Sequence, residues 1–244
     1  MIVRNAHAVN AGNMPELQNS AAGDFFFLPR RDSARLVDTV VELCKTRLPE
    51  KMGIPASDIQ VLTPTRRGAT GTYELNRALQ AALNPHSPER RERAWGETVF
   101  REGDRVMQTR NDYDVVWEKE DGTAGTGVFN GDVGTILQID PSGELLTIAF
   151  DERVATYTAD MLTELELAYA VTVHKAQGSE YRGVIFASAP CAPGLQVRGV
   201  LYTAITRARE LLILVGDDVT IGKMAANDRQ TRRYSGLRWR LANG

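Results

Sequence analysis

Several things are scarce in this chain, and each scarcity removes a class of protein. Of 244 residues only Cys44 and Cys191 are cysteines. They lie far apart without metal-ligand spacing, so a disulfide scaffold and a cysteine metal site are both excluded, and the pair reads as small apolar residues in a reducing compartment. No apolar run approaches the ~20 residues that span a bilayer, so no membrane partner is expected. The opening Met1-Ile2-Val3-Arg4-Asn5 lacks a charged leader before an apolar core, which fits a cytoplasmic protein without a secretory signal. Charge of one sign is missing too: the formal net charge is −2, so any grip on a polyanion must come from a local patch of Lys and Arg. Finally, no G-x-x-x-x-G-K-[ST] phosphate loop occurs; the lone Gly222-Lys223 pair has neither the leading glycine nor the following hydroxyl residue.

What is present is an ordinary globular composition, 43% hydrophobic and 25% charged. Phe25-Phe26-Phe27-Leu28 before Pro29 suits a buried strand. Asp32 or Ser33 can cap a helix through Leu36, Val37, Val40, Val41 and Cys44, expected to end before Pro49. Ile59-Gln60-Val61-Leu62 reads as a second buried strand, and a helix follows through Tyr73, Leu75, Leu79 and Leu83 to Asn84-Pro85. This alternation predicts a parallel sheet with helical crossovers. From about Phe100 to Asp160 short β-forming runs alternate with turn signals, as in Asn130-Gly131-Asp132 and Pro141-Ser142-Gly143, the texture of a small barrel. The strand–helix alternation resumes from Leu167, with strands at Gly183–Ala187 and Leu211–Val215, and the tail carries Arg229, Arg232 and Arg233. The expected architecture is α/β: a parallel sheet with helices on both faces, formed by 1–98 and 164–244 and interrupted by a barrel over 99–163.

Two strings carry the chemistry. Ala170-Val171-Thr172-Val173-His174-Lys175-Ala176-Gln177-Gly178-Ser179-Glu180 and Leu201-Tyr202-Thr203-Ala204-Ile205-Thr206-Arg207-Ala208-Arg209 resemble motifs V and VI of superfamily 1 helicases in the RecD/TraA-like spelling. Thr63-Pro64-Thr65-Arg66-Arg67-Gly68 resembles the motif IV region, and Ala6-His7-Ala8-Val9-Asn10 the stretch after motif III. Phe100–Gln108 and Gly127–Gly134 are similar to the SH3-like 2B insertion of RecD-type motors. The resemblance covers the chain to about Asp217 and identifies it as the C-terminal portion of a superfamily 1B helicase, a RecA-like 2A domain interrupted by 2B.

The resemblance implies an ATP-dependent helicase that moves 5′→3′ along single-stranded DNA. Arg207 would be an arginine finger, for which a permanently charged planar guanidinium is suited. Arg67, with Arg66 as the other candidate in its loop, Gly178 and Glu180 would face the nucleotide. Thr65, Thr172, His174, Lys175, Gln177, Tyr202 and Thr203 would contact DNA, as donors or by stacking. ATP and Mg²⁺ would be held mainly by an N-terminal RecA-like domain of the same polypeptide, so this chain alone is expected not to hydrolyse ATP. Further partners implied are nuclease or relaxase components. The rival reading is a catalytically inert single-strand-binding or interaction module, and a peptide-binding SH3 adaptor would account for the insertion alone. Tyr113 and Trp117 fit either base stacking or packing. Thr147-Ile148-Ala149-Phe150-Asp151-Glu152 imitates a metal-binding strand end, yet its place after a Pro-Ser-Gly turn predicts a hairpin, and no metal site is expected there.

Overall fold

A computed structural model describes residues 1–229; Arg232 and Arg233 lie outside the described residues. In chain order the elements are α1 (Ile2–Asn10), β1 (Phe25–Pro29), α2 (Ser33–Glu42), α3 (Leu48–Met52), β2 (Ile59–Thr63), α4 (Thr72–Leu83), β3 (Glu92–Trp95), β4 (Thr98–Arg101), β5 (Arg105–Gln108), β6 (Asp112–Glu118) and β7 (Ala124–Val128). They continue with β8 (Val133–Ile139), β9 (Leu145–Phe150), β10 (Arg153–Thr158), β11 (Leu165–Leu167), β12 (Ala170–Thr172), β13 (Tyr181–Ser188), α5 (Arg198–Thr206), β14 (Ala208–Gly216) and α6 (Asp218–Ala226). Among the described residues, no helix is long and apolar enough to cross a membrane.

Five strands form a parallel sheet in the order β1-β14-β13-β2-β12. Side chains alternate along each strand, so one run of apolar residues feeds two cores. Val184, Phe186, Leu212 and Leu214 face the layer containing α1, α5 and α6. Ile185, Ala187, Ile213 and Val215 face the layer containing α2 and α4. This is the α/β architecture with helices on both faces.

Of the two candidate caps, Asp32 is the one used, its side chain accepting from Arg35 N. The helix does not end before Pro49, however. A π-helical segment at Leu43–Arg47 joins α2 to α3, and Pro49 sits in the first turn of α3, with Gly53 closing it at φ 62°. The correction has a simple cause: proline lacks an N–H, but the first turn of a helix needs none there.

The intervening chain forms a seven-stranded sheet, β11-β5-β8-β9-β10-β6-β7, antiparallel throughout. Leu165 and Val128, from its two terminal strands, share one core with Phe150 and Tyr157, so the sheet must curl upon itself. The run Thr147–Glu152 that imitates a metal-binding strand end is a hairpin: β9 pairs with β10, and Asp151 turns between them at φ 51°. A separate hairpin, β3–β4, brings Phe100 into this core, and the expected join at 98 and 99 falls inside it. Trp117 packs against the core, with Arg153 over its ring at 5.9 Å, whereas Tyr113 is 66% exposed and meets Phe129 edge-on at 5.6 Å. A Cβ on Gly125 would lie 2.5 Å from the Trp117 ring. Gly125→Ala is therefore expected to destabilise the protein by about 1–3 kcal/mol in denaturant unfolding, whereas an unchanged midpoint would mean that Trp117 is free to move.

A buried polar network fixes the two structures to each other. Asp104 is fully buried and accepts from Gln80 Nε2 at 2.6 Å, Asn84 Nδ2 at 2.7 Å, Arg101 N at 2.7 Å and Tyr169 OH at 2.8 Å. Asn76 bonds the carbonyls of Leu167 and Ala170 and the N–H of Ala170. Asn76 and Gln80 lie one turn apart on one face of α4 and Asn84 follows as the residue that closes the helix, so all three amides serve the same joint. Burial pushes the Asp104 carboxyl above its ordinary pKa, against the pull of its donors.

Candidate nucleic-acid and nucleotide site

The site is organised by the two ends of the parallel sheet. β12 pairs with β2 so that Thr172 lies beside Thr63, and Val173 N donates to Thr63 O at 3.0 Å. The loops leaving both strands thus emerge side by side at the carboxyl end, where ligands collect in open α/β sheets. One loop carries Thr65, Arg66 and Arg67, and the other carries His174 and Lys175. Thr65 Oγ1 donates to Arg67 O at 3.1 Å, holding its loop in a tight turn. Arg66 pairs with Glu166 and lies over the Tyr73 ring at 5.5 Å. Burial pushes the Lys175 amine below the ordinary lysine range; Arg66 adds to that, and Glu166 opposes it.

From Thr172 the chain returns to the amino end of the sheet. Val173 and Ala176 are buried in the core, while His174 and Gln177 are exposed. Gly178 sits at φ 89° with nothing within 4 Å of where a Cβ would lie. That backbone conformation favours glycine, and it leaves the main chain open to close approach by a ligand. Exposed Glu180 follows, and Tyr181 N donates to Arg207 O at 2.8 Å as β13 begins.

Arg207 ends α5 at this same amino end. Its Nη1 donates to Ser179 O at 2.8 Å, its Nε to Thr203 O at 3.3 Å and its Nη2 to Thr206 Oγ1 at 3.2 Å. The guanidinium is half-buried and tied to the loop that carries Gly178 and Glu180. Motifs V and VI are thus in direct contact.

The expected residues therefore fall into two groups. Gly178, Glu180 and Arg207 meet at the amino end; Thr65, Thr172 and Lys175 meet at the carboxyl end, with His174 and Gln177 on the loop between. Arg67 belongs with the second group, not with Arg207. Thr63 is level with Ala187, six residues along β13 from Tyr181, which is about 20 Å of strand. Tyr202 and Thr203 are not brought to the carboxyl-end group either. They lie on α5, with Tyr202 exposed and the Thr203 carbonyl bonded to Arg207. Sequence reasoning gave no ligand role to Tyr73 and Glu166 at the carboxyl end, Tyr73 reading only as part of the helix after the motif IV region and Glu166 belonging to no motif. It also passed over the α4 amides, although their four-residue spacing was readable.

A family profile described as the SH3 domain of ATP-dependent RecD-like DNA helicases matches residues 75–150, and a UvrD-like helicase C-terminal domain matches 167–215. The chain is 38% identical over 182 residues to the ATP-dependent RecD2 DNA helicase of Deinococcus radiodurans. This chain belongs to the RecD-like helicases. That alignment takes in 75% of the chain and 23% of the relative, while one to the RecBCD enzyme subunit RecD of Mycobacterium tuberculosis, at 30% identity, takes in 97% and 40%. The chain thus spans less than half the length of these RecD-like relatives. A crystal structure of Pif1 helicase from Candida albicans shares the fold, with a TM-score of 0.51 at 15% identity, covering 99% of this chain and 57% of that one.

Proposed function

We propose that the chain is the second motor domain of an ATP-dependent 5′→3′ DNA helicase, residues 1–98 and 164–244 with 99–163 as the 2B insertion. It supplies an arginine finger, Arg207, and part of the track for single-stranded DNA. The observation that supports this most is the course of residues 172–180. One short segment starts among donors at the carboxyl end of the sheet and finishes hydrogen-bonded to Arg207 at the amino end. A change at either end is transmitted through a few buried residues, which is the coupling a nucleotide-driven motor needs.

The residues at the amino end fit the flank of a nucleotide. Arg207 offers charged planar donors to phosphoryl oxygens, Gly178 an open main chain and Glu180 an acceptor for sugar hydroxyls. They do not fit Mg²⁺, since no group of three or more His, Cys, Asp or Glu side chains able to hold a metal occurs among the described residues. The metal and most of the ATP contacts would come from an N-terminal RecA-like domain of the same polypeptide, so the chain alone is not expected to turn ATP over. In this reading Arg67 faces DNA, and nuclease or relaxase components are candidate partners of the whole protein.

Fluorescence anisotropy with a labelled oligothymidylate tests the DNA side. The chain should bind it with a salt-dependent affinity, and Thr172→Ala with His174→Ala should weaken binding about tenfold, the loss of one or two hydrogen bonds. No binding, or a double variant that binds like the parent, would overturn the assignment.

A further inference from the structure

Beside the carboxyl-end group lies a cavity of about 530 Å³, walled by α4, β11, β12 and the β3–β4 hairpin. Its volume lies in the range of small-ligand sites. Val99, Met107 and Leu167 make an apolar wall, and Tyr73, Arg66 and Lys175 stand among its polar lining. Tyr73 is 51% exposed although it is a large aromatic on a helix whose Leu75 and Leu79 are fully buried. Its ring already carries the Arg66 guanidinium at 5.5 Å. An aromatic face, an apolar wall and two cations at the side are the elements that accept a nucleobase together with its phosphate.

We infer that this cavity takes one unstacked base of the single strand, with Tyr73 as its stacking platform. The inference rests on the proposed DNA track, because Thr172 and Lys175 line both. The neighbouring phosphate would meet Lys175 and Arg66. Glu166, which holds Arg66 in the free protein, would yield the guanidinium to the incoming phosphate. The apolar wall accepts any base by its flat face and reads no hydrogen-bonding edge, so binding would be tolerant of sequence. The cavity is lined both by the parallel-sheet domain (Tyr73 on α4, Val171 and Thr172 on β12) and by the β-rich insertion (Val99, Met107 and Leu167), so a base held there would bridge the two.

The test compares the chain's affinity for an oligothymidylate with that for an oligomer of the same length in which every sugar is abasic. Tyr73→Ala should weaken binding to the oligothymidylate about 5- to 150-fold, the effect of losing one base–aromatic stack. It should leave binding to the abasic oligomer unchanged. Tyr73→Phe, which keeps the ring, should bind both as the parent does. If Tyr73→Ala weakens both oligomers equally, or neither, the base pocket is wrong while the track stands. If the parent chain binds neither oligomer, the track itself fails and takes the pocket with it.

Discussion

In a polypeptide that joins this chain to a phosphate-loop domain, Arg207→Ala is expected to lower ATP turnover by about 10³-fold or more while affinity for single-stranded DNA stays within about threefold. Arg207 touches nothing at the carboxyl end of the sheet, so its loss should spare the DNA contacts. Among the described residues, the hydrogen bonds of its guanidinium go to Ser179, Thr203 and Thr206. Those are neutral acceptors, which can be exchanged for a phosphoryl group without leaving a buried carboxylate unpaired. Arg207→Lys should recover little, because a single ammonium cannot hold both the Ser179 carbonyl and a phosphoryl oxygen in one plane. Steady-state hydrolysis with saturating DNA reads the effect. A variant that hydrolyses ATP within about tenfold of the parent would remove Arg207 from the chemistry and leave it as a helix-end cation near the α5 carbonyls.

The second large effect is structural. Asp104→Ala is expected to destabilise the fold by about 3–5 kcal/mol, because four buried donors lose their common acceptor. Denaturant unfolding followed by the tryptophans, two of which lie within the β-rich region, measures this. Asp104→Asn should rescue only partly, since its amide group brings two more donors into a site that already holds four. The pH dependence follows from the raised pKa of the folded carboxyl. Such a group keeps its proton to a higher pH when folded than when unfolded, so its stabilising contribution is complete below the ordinary aspartate value. It declines as the pH rises through the raised value, and the gap between parent and Asp104→Ala should narrow over that interval. A loss under about 1 kcal/mol would mean that Asp104 does not hold the insertion to the parallel sheet. In the joined polypeptide, loosening this joint should also slow unwinding more than hydrolysis, since Tyr169, one of the four donors, directly precedes the β12 strand that leads into the loop proposed to meet DNA.

The sequence by itself determined the fold class, the two strings that resemble helicase motifs V and VI, and the turn nature of Asp151-Glu152. The reason is local: buried parallel strands need continuous apolar runs, turns need particular backbone angles, and motif chemistry is written in consecutive residues. Only the tertiary structure decided which of those residues share an end of the sheet. In the sequence Arg67 and Arg207 both read as cations for a nucleotide phosphate, but parallel pairing sets them at opposite ends, while residues 172–180 connect those ends. Helix α2 was legible, but not its continuation through the π-helical turn at Leu43–Arg47 into α3, because that turn is set by the burial of Leu43, Cys44 and Leu48 in a core shared with Ile59 and Val61. The Asp104 joint and the Tyr73 cavity were hidden for the same reason. Each is assembled from residues 20 to 100 positions apart, and a local pattern carries no record of what the chain folds back upon.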